Sequence, residues 1–123
     1  MINAKSLYYS ILQDERLTEL VGEDNILDAY PETVETFPCV IFLEENQLDR
    51  EFADNQPLAD ELSLTVHIFT KALGGYPTSS EIGLVVATIM RENFFVATQN
   101  REMSDVSDNV RHRVMAFRKV LLS

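Results

Sequence analysis

Cysteine occurs once in these 123 residues, at Cys39. One thiol closes no internal disulfide, so an intracellular origin or assembly site is expected. There is no run of about 18 apolar residues, so no membrane-spanning helix is expected. The opening MINAKSLYYSILQDER has one lysine and a short, interrupted apolar stretch, and does not read as a secretory signal. Bases are scarce: 10 Lys and Arg stand against 20 Asp and Glu, for a net charge of −10. That balance repels a phosphate backbone, so nucleic acid is not an expected partner.

What is present is the composition of a folded protein. Hydrophobic residues make up 46%, and seven Phe with four Tyr argue against disorder. The length suits one domain, residues 1–123, able to bury a core without staples. The charge is uneven. Residues 1–60 hold 14 acids and 3 bases, while residues 61–123 hold 6 acids and 7 bases. Two readings remain open: a solvated acidic face, or complementary halves that meet head to tail between copies.

Periodicity gives the elements. Leu7, Tyr8, Ile11 and Leu12 share one face of a helix running from Ala4 to about Gln13, with Asn3 as N-cap. A second short helix, DERLTELV, is ended by Gly22. Asn25 to Tyr30 forms a short strand stopped by Pro31. PCVIFLEENQL is rich in β-branched and aromatic residues and reads as a strand. Leu62, Leu64, Val66 and Ile68 alternate with Ser63, Thr65, His67 and Phe69, the period of a half-buried strand. These two strands make an antiparallel hairpin with a long charged tip.

Thr78 and Glu81 have capping-box spacing. Behind them Ile82, Val85, Val86, Ile89 and Met90 line one face of a helix ending near Asn93. Phe94-Phe95-Val96 restarts strand character, NREMSDVSDN holds a turn, and Arg111 to Leu122 is a last strand. The fold class is α+β: a mostly antiparallel sheet with a long hairpin, packed against two helical regions.

Sites of chemistry are missing. Gly74-Gly75 lacks the downstream Lys-Ser/Thr of a phosphate loop, and Pro77 removes a backbone donor, so the stretch reads as a joint. The acidic tip has Asp54 where a calcium loop counted from Asp49 needs Gly, and Asp60 where it needs Glu. His67 and His112 have no second ligand at metal spacing and read as hydrogen-bonded or surface imidazoles. Cys39 reads as a small buried hydrophobe. Glu44 and Glu45 point to opposite faces of a strand and form no carboxylate pair. No enzyme, cofactor or metal site is expected. The last strand puts Arg111, Arg113, Met115, Phe117 and Lys119 on one face and His112, Val114, Ala116, Arg118 and Val120 on the other. Both faces mix apolar and basic residues, which suits either subunit contact or snorkelling arginines.

The order of segments resembles the tail terminator, or tail completion, proteins of long-tailed bacteriophages and prophages. The resemblance runs from about Lys5 to Leu122. It is carried by DERLTELVG, FPCVIF, an EFADN hairpin tip, ELSLTVHIFTK, TSSEIGLVVATIM and HRVMAFR, in that order. It transfers no catalytic residue. It implies a small α+β unit whose copies form a ring, commonly a hexamer, on the head-proximal end of the tail tube. The ring ends tube polymerisation and faces the head–tail connector protein. The implied partners are the chain itself, the tail tube protein and that connector, with no nucleic-acid readout and no membrane. The implied place is the virion tail, assembled in the host cytoplasm. Expected contact residues are Asp49, Glu51 and Asp54 at the tip and Arg111, Arg113 and Arg118 on the last strand. The alternative is a small acidic binding or inhibitor protein for a basic partner.

Overall fold

The computed structural model describes residues 4–44, 60–103 and 109–121. Helix α1 spans Ala4–Leu12 and α2 spans Glu15–Val21. The Asp14 carboxylate between them accepts the Arg16 N–H, supplying one of the partners an N-terminus lacks. Gly22 ends α2 at φ 92°, a backbone region that suits glycine, and its N–H reaches Thr18 O. A 3₁₀ turn, Glu23–Asn25, leads to β1, Ile26–Leu27. Then follow β2 (Cys39–Glu44), β3 (Asp60–Lys71), α3 (Ser79–Glu92), β4 (Val96–Met103) and β5 (Val110–Leu121).

The strands form one sheet in the order β1-β2-β3-β5-β4. β1 is parallel to β2, and every other pair is antiparallel. The expected α+β class therefore holds. β3 and β5 are the long central strands, paired from Asp60↔Leu121 to Lys71↔Val110. The β2–β3 pairing, Cys39↔Phe69 through Glu44↔Leu64, is the expected antiparallel hairpin.

The core lies on one side of the sheet. Leu62, Leu64, Val66 and Ile68 are buried there, as their alternation predicts, with Val40, Phe42, Met115 and Phe117. Tyr8, Leu12, Leu17 and Val21 close over them from α1 and α2, and Ile82, Val86, Ile89 and Met90 from α3. Each such aliphatic contributes roughly 1.5–3 kcal/mol by leaving water. Tyr8 meets Phe42 and Phe95 edge-on, at centroid distances of 6.5 and 6.1 Å. At Gly83 a Cβ would stand 3.0 Å from Arg113 Cδ, so the missing side chain lets α3 approach β5 closely.

Two boundaries differ from the sequence expectation. The strand expected over Asn25–Tyr30 is only Ile26–Leu27: among the described residues β2 is its one strand partner, and the backbone bends away at Asp28. Within the stretch expected to hold a turn, strand pairing continues past Asn100. Asn100, Arg101, Glu102 and Met103 remain in β4, paired with β5. Pairing on one side is enough to hold polar residues in strand geometry at a sheet edge. The expected N-cap Asn3 and the hairpin tip lie outside the described residues.

Candidate functional site

Register fixes where the expected contact residues sit. Ile68↔Arg113 and Thr70↔Arg111 place both arginines on the helix-covered side, whereas Ser63↔Arg118 places Arg118 on the opposite side. The two faces of β5 are thus divided as the alternation predicts. Arg113 is tied into the chain. Its guanidinium donates to Asn100 Oδ1 at 2.8 Å, Ser80 Oγ at 3.0 Å and Ser79 Oγ at 3.3 Å. Ser79 in turn donates to Glu102 Oε1 at 2.7 Å. This network joins the first turn of α3 to β4 and β5. Arg111 donates to Val110 O, and Arg118 is exposed. Asp49, Glu51 and Asp54 lie outside the described residues.

The start of α3 explains the Gly74-Gly75 stretch. Both glycines have positive φ, 104° and 80°, which turns the chain sharply from β3 toward the helix. Thr78 caps the helix, its Oγ1 accepting the Glu81 N–H at 3.0 Å. A cleft of about 230 Å³ beside the turn is lined by Thr70, Lys71, Tyr76, Ser80, Glu102 and Arg111 among others.

The side of the sheet away from the helices carries a ring cluster. His67 Nδ1 lies 2.9 Å from His112 Nε2, and His112 stacks on Phe69 at 4.2 Å. Tyr30, from the chain after β1, packs on both His67 and Phe69. Lys71 Nζ stands 5.0 Å from the centre of the Phe37 ring. Each histidine is therefore a hydrogen-bonded imidazole, as its isolation in the sequence predicts. That they bond each other is invisible in the sequence, since 45 residues separate them.

Cys39 is buried on the same side, and burial pushes its thiol up from the ordinary range, which suppresses nucleophilicity. No group of three His, Cys, Asp or Glu side chains that could hold a metal occurs among the described residues. No helix among them is long and apolar enough to cross a membrane.

β4 is an edge strand and largely exposed: six of its eight residues sit mostly in water, and Gln99 and Met103 are half-covered. The α3–β4 connection carries Phe94, which is 78% exposed at φ 68°. Phe94 N–H bonds Arg91 O and Phe95 N–H bonds Met90 O, the paired bonds that close a helix end around a left-handed residue. Lys119 Nζ stands 5.6 Å from each of the Phe94 and Phe95 rings. The sequence signal for this cap was present in Asn93-Phe94, but without glycine it did not mark a left-handed position.

The architecture has a counterpart among solved structures. It matches a chain of the virion of a native gene transfer agent (GTA) particle. The match covers 97% of this chain and 94% of that chain, with a TM-score of 0.66 and 15% sequence identity. At that identity the likeness shows a shared fold. No family model and no curated protein matches the sequence.

Proposed function

We propose that this chain is a structural subunit of a phage-type particle and serves as its tail terminator. The observation that carries the reading is the end-to-end likeness of fold to a chain of the gene transfer agent virion. The ordered segments from DERLTELVG to HRVMAFR support the terminator role within that class. The likeness to a virion chain also supports a structural rather than an enzymatic part.

In this role copies close into a ring, commonly of six, on the head-proximal end of the tail tube. One rim covers the last tube ring and ends polymerisation. The other rim receives the head–tail connector. Repeated heterologous contacts that close generate such a ring from one kind of subunit. Asp49, Glu51 and Asp54 of the hairpin tip and Arg118 on the open side of the sheet are the contact residues of this proposal.

The test is to disrupt the chain's coding sequence in a particle-producing host and to image tails. Overlong tubes without heads, restored to normal length when the purified protein or its gene is returned, are the expected result. Tails of normal length, joined to heads, in the absence of the chain would overturn the terminator role. Recovery of the chain in a tight one-to-one complex with a basic protein, absent from tails, would favour the acidic-inhibitor alternative.

A further inference from the structure

His67 Nδ1 and His112 Nε2 stand 2.9 Å apart. At that distance the two nitrogens hold one hydrogen between them, one donating and the other accepting. This count holds whichever groups the outer ring nitrogens meet. The folded pair therefore keeps its bond with three ring protons, one on each outer nitrogen and one shared. A fourth turns both facing nitrogens into donors and both rings into cations.

What rests on the pair gives that limit a consequence. Tyr30 packs on His67 at 5.2 Å and on Phe69 at 6.3 Å, and Phe69 stacks on His112 at 4.2 Å. Phe37 lies against Lys71, whose Nζ is 5.0 Å from the ring centre. These contacts pin both ends of residues 30–37 to the open side of the sheet. Cys39, buried on the same side, lines a cleft with Pro31, Thr33, Val34 and Thr36 of that stretch.

The surrounding charges add to the repulsion between two cationic rings. Register places Arg101 of β4 in the row of His67, and Lys71 of β3 across from Val110, both on this side. β2 brings Cys39 and Ile41. Glu61 and Arg118 stand toward the far ends of β3 and β5. The carboxylates nearest in sequence to Tyr30, Asp28, Glu32 and Glu35, are exposed. Asp105 and Asp108 lie outside the described residues.

We infer that the His67–His112 pair is an acid-sensitive clasp: when both facing nitrogens carry a proton, the pair parts and residues 30–37 lift from the open side of the sheet. Below about pH 6.5 the two imidazoles of an unfolded chain take four ring protons. The clasped chain holds three, so acid favours the open state. The chain's overall charge acts the other way in this range, because a net charge of −10 repels itself less as acid neutralises it. The inference is independent of the terminator role.

The test follows the full-length chain from about pH 7 to about pH 5.5, the range in which free imidazoles titrate. It reads nitrogen NMR spectra of the imidazoles, urea unfolding, and the reaction of Cys39 with a pyridyl disulfide, its rate taken relative to the urea-unfolded chain. The folding equilibrium constant is expected to fall about fivefold over this range, and the relative rate at Cys39 to rise by a similar factor. The comparison chain carries His67→Asn and His112→Gln, whose amides keep a polar atom near each facing nitrogen and take no proton. Neither loss of stability nor faster thiol reaction is expected from it. An acid response of equal size in that chain would assign the effect to other groups and overturn the clasp. So would parent spectra with both facing nitrogens protonated at the acid end while the urea midpoint and the protection of Cys39 stay unchanged. That second result decides the matter even where the substituted chain does not fold.

Discussion

His67 and His112 face each other from adjacent central strands, Nδ1 to Nε2 at 2.9 Å, with His112 sandwiched between that bond and the Phe69 ring at 4.2 Å. The pair holds β3 to β5 on the side of the sheet that the helices leave open. His112 is 7% exposed, so its truncation removes packing as well as a hydrogen bond. His112→Ala is expected to cost about 2 kcal/mol. Urea unfolding followed by circular dichroism measures it, and a loss below the error of extrapolation would show that the stack contributes nothing.

Tyr8 gives an alkaline signature. Its hydroxyl donates to Ser63 O at 3.2 Å, and burial, assisted by the charge of Glu44, pushes its pKa up to about 12 from 10.0. A group raised on folding stabilises fully below its unfolded pKa and ceases to do so as pH climbs through the folded value. Stability is therefore expected to decline between about pH 10 and 12. Tyr8→Phe is expected to lose about 1 kcal/mol at neutral pH and to flatten that decline. Denaturation midpoints measured across the alkaline range for both proteins check the sign.

At the opposite end of the pH scale stands Asp14. Side-chain and backbone bonds from Arg16 hold its carboxyl at about 2, below the ordinary 3.8. A depressed carboxyl stabilises above its unfolded pKa, and the contribution fades as pH falls from about 4 toward 2. Asp14→Ala is expected to cost about 1 kcal/mol at neutral pH, chiefly through the lost helix cap. Arg16 also bridges to Glu92 at 2.6 Å, tying α2 to the end of α3. That bridge is exposed at both ends, so breaking it with Glu92→Gln is expected to leave stability nearly unchanged. A double-mutant cycle in thermal unfolding separates the two effects.

Phe94 offers a substitution that strengthens the isolated chain. Glycine adopts φ 68° without strain, and the relief outweighs the cation–π contact with Lys119, worth roughly 0.5–1 kcal/mol at the surface. Phe94→Gly is expected to raise stability by about 0.5 kcal/mol. A fall in the chemical denaturation midpoint would mean that the ring stabilises the monomer after all.

Strong periodic segments were legible in the sequence. The alternation of Leu62, Leu64, Val66 and Ile68 and the helical stripe from Ile82 to Met90 each depend on one face being dry, and burial enforces that locally. Asn100 to Met103 carried no such pattern, because an edge strand owes its geometry to the neighbour it bonds rather than to its own side chains. The polar network of Arg113 with Ser79, Ser80 and Asn100 was out of reach for a related reason. Alternation assigned Arg113 to a face, but only the packing of α3 over β5 brings the serines to it.

In the proposed ring, the strand order from β1 to β4 would have a consequence for how copies count themselves. A sheet whose two edge strands differ, two residues in β1 and eight in β4, has a direction, like a link with a hook and an eye. An open string of such links always keeps one hook and one eye free, and so always invites another. A closed circle leaves neither. The sheet's own twist sets the angle between its two edges, so the geometry inside one subunit would fix the number at which growth stops.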